Sequence, residues 1–385
     1  MNDLLLRLSP ALAPLGAMRR VHDFLRGKRV LITGVCGTIG RRLSQRLLEE
    51  FEIASLVGID NNETELAFLE EEYKDARVDV KLLLGDVRDQ SAVQRVTRGV
   101  QVVFHVAAYK HVHVCERSPL EAIHTNVLGV QNVIQSAHDN GVERLVFTSS
   151  DKAVNPTNVM GTSKLLGERL IAVAAGNAGP AGGKFVSVRF GNVLGSRGSV
   201  IPVFAQQIRK GGPVTLTHSD MTRFIISLDD AIDLVLEATV LANSGDILIS
   251  KMPALRISDL AHVMIGEYAP ELGRSLADIK TAIVGPKPGE KLYEELMNDE
   301  ETRRSLELEH HYVVRPVLTV HTKSDTRLYD NVLSENVDQS YNSNCVKPMA
   351  SLEIRDFLRR NKLVPIRTSA GRRESEHNRV REIAL

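Results

Sequence analysis

Between residues 29 and 149 the chain alternates short apolar runs with longer amphipathic stretches, and little separates them. Residues 29–33, 55–59, 80–84, 102–106 and 144–149 are the short runs, apolar at nearly every position, as strands covered on both faces of a parallel sheet must be. Residues 39–50, 63–73 and 120–140 repeat their apolar side chains at helical intervals. Strand and helix in alternation predict right-handed crossovers and an α/β, Rossmann-type, doubly wound parallel sheet. Beyond Phe190 the pattern loosens and Gly and Pro crowd residues 191–213, where the chain is expected to leave the sheet for a smaller C-terminal substrate-binding lobe. A helical stretch at 228–241 and an apolar run at 246–250 predict at least one return to the sheet. The expected organisation is a helical extension at 1–27, a Rossmann-type domain at 28–190, a second lobe at 191–365 and a disordered, charge-rich tail at 366–385.

Composition narrows the function mainly by exclusion. Over 385 residues Lys plus Arg balance Asp plus Glu, 48 against 48, so no long-range pull on nucleic acid is expected, although a local cationic groove for a phosphate is compatible with this balance. The three cysteines, Cys36, Cys115 and Cys345, lack any metal-ligand spacing and read as reduced thiols in a cytoplasm, with no metal expected. No apolar stretch is long enough to span a bilayer. The apolar start Leu4-Leu5-Leu6-Arg7-Leu8 is soon broken by Pro10 and Pro14 and lacks a signal-peptide cleavage pattern. It reads as part of a helix that packs on a subunit or on the main domain of a soluble protein.

The strongest local signal is Gly34-Val35-Cys36-Gly37-Thr38-Ile39-Gly40, which joins the first apolar run to the first helix. Gly34 permits a tight turn, Gly37 lets backbone approach a pyrophosphate, and Gly40 lets the helix pack on the strand. Helix-start N–H groups then face the phosphate charge. Asp60 closes the second run at the spacing of the acid that binds an adenosine ribose, about 20 residues beyond the last glycine. A carboxylate there accepts from both ribose hydroxyls and repels a 2′-phosphate, which favours NAD over NADP. Asp86 and Val87 follow the third run, where a carboxylate meets adenine, and Ala107 and Ala108 follow the fourth, where small residues let backbone pass close to the dinucleotide. Thr38, Ile39, Asn61, Lys110, Asn126 and Lys164 complete the expected cofactor contacts.

The fifth run ends in Ser149-Ser150-Asp151-Lys152-Ala153, followed by Met160-Gly161-Thr162-Ser163-Lys164. An extended short-chain dehydrogenase carries Tyr-x-x-x-Lys at the latter positions; here Lys164 is present and Met160 replaces the tyrosine. A thioether cannot exchange a proton, so either catalysis is lost or other groups perform it. Asp151 and Lys152 are candidates, one to give a proton and one to take it.

With these residues, and with Asn155-Pro156-Thr157-Asn158-Val159-Met160-Gly161, Arg189-Phe190-Gly191-Asn192-Val193, Gly195-Ser196, Gly198-Ser199-Val200-Ile201-Pro202, Met221-Thr222-Arg223-Phe224 and Gly289-Glu290-Lys291-Leu292, the chain resembles the UDP-N-acetylglucosamine 4,6-dehydratases over residues 28–362. It looks like a soluble form of the branch with Met at the tyrosine position. The resemblance implies that NAD takes hydride from sugar carbon 4, Lys152 removes the carbon 5 proton, Asp151 protonates the departing 6-hydroxyl, and the hydride returns to carbon 6. Ser150 would hydrogen-bond the 4-oxygen, and Lys164 would hold the nicotinamide ribose and ease loss of the 4-hydroxyl proton; the group that accepts this proton is left open. On the substrate side it implies Asn192 at a phosphate or sugar oxygen, Gly198-Ser199-Val200 and Arg223 at the diphosphate, Pro202 and Phe204 around the uracil, and Glu290 at ribose hydroxyls. Lys110 and His111 would border the sugar, although His111 fits a surface or packing role equally well and Phe204 and Phe224 also suit a core. A 4-epimerase, a 5-inverting dehydratase and a non-catalytic dinucleotide sensor are the competing readings. A homodimer or larger homo-oligomer is expected, from the helices that precede Asn140 and Asn177.

Overall fold

A computed structural model describes residues 15–177, 182–317, 329 and 331–365. The expected tail at 366–385 and the first fourteen residues of the expected N-terminal extension lie outside them. The described chain divides into two compact units, one within Met1–Phe190, Asp229–Lys251 and Glu295–Ser340, the other within Gly191–Leu228, Met252–Glu294 and Tyr341–Leu385.

Among the described residues the first unit is built on a ten-stranded sheet. Six of its parallel strands are β1 (Arg29–Thr33), β2 (Ser55–Asp60), β3 (Asp79–Leu84), β4 (Val102–His105), β5 (Arg144–Thr148) and β6 (Lys184–Arg189). They lie in the order β3-β2-β1-β4-β5-β6, the doubly wound arrangement expected from the apolar runs. Leu31 of β1 sits opposite Val57 of β2 and Val103 of β4, so the strand order reverses beside β1, where ligands meet such sheets. Leu31, Val103, Leu145, Phe147 and Phe185 form a buried core with Val130, Val133 and Ile171 from the helices. Burial on both faces is what lets β1 and β5 read as unbroken apolar runs.

The chain returns to this sheet more often than the pattern showed. Ile247–Ser250 pairs parallel to β6, and His311–Val314 then pairs antiparallel to Ile247–Ser250. Ser305–Leu308 and Val332–Ser334 extend the edge antiparallel. Ile247–Ser250 is the return that the run at 246–250 predicts; the three antiparallel strands are only three or four residues long, too short for a local apolar pattern to mark them. Ahead of β1, helix Leu15–Leu25 buries Ala17, Val21 and Leu25 at four-residue spacing, and the His22 ring stacks on Phe51 at 4.2 Å between centroids.

The stretch expected as one helix over 120–140 is instead Pro119–Ile123, a wide π turn at His124–Leu128, and Gly129–Asp139. The second unit has its own core, in which Phe204, Ile208, Met221, Leu260, Met264 and Phe357 are buried together. Helices Val200–Arg209, Ile257–Glu271 and Ser351–Arg360 enclose it. Its strands Asn192–Val193, Thr222–Ile226 and Ala254–Arg256 form a small separate sheet. Among the described residues no helix is long and apolar enough to cross a membrane.

Candidate active site

At the end of β1 the backbone turns through Gly34, whose φ of +72° belongs to the region glycine alone enters without strain. A side chain there would also come within 2.7 Å of the Ala107 backbone, so the glycine turn and the exit of β4 are in direct backbone contact. A side chain at Gly40 would collide with the Gly34 carbonyl oxygen, and its lack lets helix Thr38–Glu50 start hard against the turn. Gly37 begins that helix with no side-chain cap, an arrangement that receives an anion. Thr38 and Ile39 lie in its first turn, each partly exposed.

Asp60 ends β2 and is fastened back onto this turn. Its Oδ2 accepts the Cys36 N–H at 3.0 Å and its Oδ1 the Asn62 N–H at 3.1 Å, so the carboxylate is held at the sheet edge beside the helix start. The next acid is already engaged: Asp86 accepts from Arg88 Nη2 at 2.7 Å, from Arg88 Nε at 2.9 Å and, at 3.4 Å, from Asn61. Burial works to raise the Asp86 pKa, yet the Arg88 hydrogen bonds and charge outweigh it and leave it below the usual carboxylate value. Val87, expected against the cofactor, turns its side chain into the core, where it packs on Gly129.

Beyond β5 the chain tightens into a short turn at Asp151–Ala153. Ser150 donates its hydroxyl to Asp151 Oδ1 at 2.7 Å, and Lys152 Nζ donates to the same oxygen at 3.0 Å. The Asp151 carboxylate is 1% exposed and the Lys152 side chain 23%. Among the described residues the other carboxylate oxygen, Oδ2, is buried with no hydrogen-bond partner, a costly state for a polar atom unless a ligand donor or a proton satisfies it. At 3.0 Å the amine and the carboxyl group are directly hydrogen-bonded, and each is of a type that can exchange a proton. An acid and a base are therefore available from a single pair.

Helix Val159–Asn177 supplies the next layer. Lys164 is buried, donates to the Thr148 carbonyl at 2.9 Å and lies 4.8 Å from the centre of the Phe147 ring. Burial pushes its pKa down to about 8, against the opposing charges of Glu168 and Cys115. Met160, one turn earlier, is packed in an apolar cluster with Cys115 and Ala122. Asn126, expected at the cofactor, is committed elsewhere: its Oδ1 accepts the Tyr109 N–H at 2.8 Å, and its Nδ2 donates at 2.9 Å to the Tyr109 carbonyl and at 2.9 Å to Ser163 Oγ. It shapes the loop after β4 from within the π turn. Lys110 and His111 are exposed on that loop. Burial first, then the charges of Lys110 and His113, lower the His111 pKa.

His105 escaped sequence reasoning, although a histidine ending an apolar run is a readable signal. It is fully buried, its Nδ1 lies 2.7 Å from Thr33 Oγ1, and its ring stacks on Phe147. Burial and the nearby Lys164 drive its pKa down to about 3, so it is a neutral packing group beneath the site.

In the second unit, Asn192 is half-buried on Asn192–Val193, opposite Ile225. Gly198 and Ser199 lead into helix Val200–Arg209, which lacks a side-chain cap, and Pro202 lies partly exposed in its first turn. Two expectations need correction. Phe204 is 2% exposed and its ring is spent in the core, which leaves it no face for a uracil. Arg223 directs its guanidinium at the carbonyls of Thr222, Leu292 and Lys291, at 2.7, 3.2 and 2.8 Å. Glu290 and Glu294 lie 3.8 and 3.7 Å from it, so its charge holds the 290–294 segment instead of standing free for a diphosphate.

A family model described as polysaccharide biosynthesis protein matches residues 30–316. The chain is 47% identical over 311 residues to a Methanocaldococcus jannaschii protein named as an uncharacterized membrane protein, covering 81% of this chain and 92% of that one. It is 35% identical over 311 residues to a UDP-N-acetylglucosamine 4,6-dehydratase (inverting) of Campylobacter jejuni, covering 80% and 89%. Rickettsial relatives at 38–39% identity bear the name UDP-glucose 4-epimerase. Among solved structures, Pen from Bacillus thuringiensis superposes with a TM-score of 0.81 at 37% identity, over 89% of this chain and 100% of that one.

Proposed function

This chain belongs to the polysaccharide biosynthesis protein family, an extended short-chain dehydrogenase/reductase group whose relatives include nucleotide-sugar dehydratases and epimerases, and on that premise we propose that it is a UDP-N-acetylglucosamine 4,6-dehydratase. The observation that carries the reading is the buried Asp151, bonded through one oxygen to Ser150 and Lys152 and left without a partner at the other. An elimination needs an acid for the leaving oxygen and a base for the neighbouring carbon, and this pair can be both.

The glycine turn pressed on Ala107 and the carboxylate of Asp60 beside it fit a dinucleotide without a 2′-phosphate, and we assign NAD to them. When bound, NAD would supply a temporary hydride acceptor, taking hydride from carbon 4, so that the ketone formed there acidifies the proton on carbon 5, and returning it to carbon 6 once water has left, with a proton restored at carbon 5 and no net oxidation. Lys152 then takes that proton and Asp151 gives one to the departing 6-hydroxyl, which leaves as water. Ser150 donates a hydrogen bond where negative charge gathers on the 4-oxygen. Lys164, its pKa pushed down by burial to about 8, eases loss of the 4-hydroxyl proton. Asn192, Gly198, Ser199, Val200, Pro202 and Glu290 of the second unit are assigned to the nucleotide sugar, and Lys110 and His111 to the sugar edge. The enzyme is read as cytoplasmic, and it is read as a homodimer or larger assembly in view of the exposed apolar side chains of Leu120, Ile123, Leu128, Leu166 and Val173.

Incubation with UDP-N-acetylglucosamine in deuterated water tests this function. Mass spectrometry is expected to show loss of one water, and NMR one solvent deuteron at carbon 5 together with the configuration there. An isomer of unchanged mass would establish a 4-epimerase instead, and an unaltered substrate a dinucleotide-binding protein without this activity. The epimerase names among the relatives favour that second reading, but an epimerase of this fold uses the tyrosine hydroxyl that Met160 lacks.

Met160 has only an apolar part in this scheme. Met160→Leu preserves volume, and such exchanges cost less than about 1.5 kcal/mol of stability. Turnover is expected to persist in the variant, and its collapse in a folded protein would give the thioether a chemical role.

A further inference from the structure

Arg189, the last residue of β6, is 0% exposed. Arginine has five N–H donors, and every one of them is used. Nε and Nη2 donate to the two oxygens of Glu168 at 2.7 and 2.6 Å, Nη1 and Nη2 to the two oxygens of Glu301 at 2.8 and 2.8 Å, and Nη1 also to the Leu296 carbonyl at 3.1 Å. Burial alone would lower the Arg189 pKa, but the two carboxylates reverse this and raise it. The guanidinium is permanently charged and gripped from both sides.

Its partners are the supports of the candidate site. Glu168 sits one helical turn beyond Lys164 on Val159–Asn177. Phe190, adjoining Arg189, accepts the Asp151 N–H through its carbonyl at 3.2 Å. The segment that supplies Leu296 and Glu301 also holds the far side of the catalytic turn, because Asn155 donates to Glu295 at 3.1 Å and accepts from Asn298 at 3.3 Å. Asn155 itself has a φ of +43°, a conformation that needs such outside support. One planar fork therefore touches the helix of Lys164, the strand end that holds Asp151 and the segment that holds Asn155. Apolar packing could keep these three together, but only paired bidentate bonds fix their mutual angle and spacing.

We propose that Arg189 is a positioning residue which, through Glu168 and Glu301, sets the spacing between Lys164 and the Asp151–Lys152 pair. The proposal rests on the reading of those three residues as the reacting groups.

A triple variant, Glu168→Met, Arg189→Met, Glu301→Leu, separates positioning from mere stability. Replacing a buried ion cluster by apolar side chains of similar volume is often neutral or stabilising, and Arg304, 3.6 Å from Glu301, keeps Glu300 at 3.3 Å, so this variant is expected to melt no lower than the parent. With the fork gone, kcat is expected to fall about 100-fold, the cost of a misplacement on the order of 1 Å, while KM for the sugar nucleotide and the dissociation constant for NAD stay unchanged. Hydrogen exchange at the Asp151 and Ala153 amides is expected to quicken, with or without substrate. Parental kcat or parental exchange at those amides in the folded triple variant overturns the proposal. Should the triple variant not fold, Glu301→Gln keeps the shape and loses one side of the fork; a lowered kcat at constant KM supports the proposal, and parental kcat overturns it. Parental turnover in Asp151→Asn and Lys152→Ala would remove the catalytic reading itself, whereas their collapse beside an unimpaired triple variant removes only the positioning role.

Discussion

Lys152→Ala is expected to lower turnover of UDP-N-acetylglucosamine by about 10²–10⁴-fold, the range lost with a positioned general base, while NAD still binds. The side chain lies 3.0 Å from Asp151 Oδ1 and outside the glycine turn, so its removal deletes a proton acceptor without touching the dinucleotide contacts. Asp151→Asn should cost a similar factor, since an amide keeps the shape but has no acidic proton for the leaving oxygen. The two losses are not expected to multiply in the double variant, because residues hydrogen-bonded to one another act as a unit. Steady-state kinetics with a parallel NAD titration check all three proteins. Parental rates in both single variants would take the pair out of the mechanism.

Arg189→Ala is expected to be the most damaging single substitution to the fold. It strands two buried carboxylates, Glu168 and Glu301, and frees the Leu296 carbonyl. Breaking a buried ion cluster from one side costs about 3–5 kcal/mol, a large part of a typical folding free energy. Burial alone would raise the Glu301 pKa, but the guanidinium leads the groups that hold it below the usual carboxylate value, so its removal leaves a buried carboxylate with only the Asn298 N–H at 3.2 Å and Arg304 at 3.6 Å. Urea denaturation followed by circular dichroism measures the loss. A shift below about 1 kcal/mol, the ordinary size for a surface substitution or an exposed ion pair, would mean that the cluster is not the tie described. The apolar triple variant is the matched control, since it removes the charges together.

How far the site could be read in advance varied with the range of the interaction. The glycine turn and Asp60 were legible because each answers a local demand: a positive φ at Gly34, an absent Cβ at Gly40, an acid at the end of the second strand. Asp151 and Lys152 were legible as chemistry, but not that they share one oxygen with Ser150 or that the second oxygen is left alone. Asn126, Phe204 and Arg223 were placed against ligands because their types suit that work. The fold had already committed them, Asn126 to Tyr109 and Ser163, Phe204 to a core, Arg223 to carbonyls nearly seventy residues away. A side chain's type shows what it can bond; only its neighbours show which bonds are taken.

The amino-acid order alone marked the parallel strands β1 to β5, the return at Ile247–Ser250, the helices Thr38–Glu50 and Glu63–Tyr73 and the glycine turn after β1, because burial on both faces and backbone conformation are written within a few residues of each position. Tertiary structure alone decided the antiparallel extension of the sheet, the π turn that presents Asn126 and the union of Arg189 with Glu168 and Glu301. The last of these spans 112 positions of chain. Such contacts appear only when distant segments close on one another in a medium too poor in water to leave a charge unpaired, and no local pattern of apolar and polar residues records them.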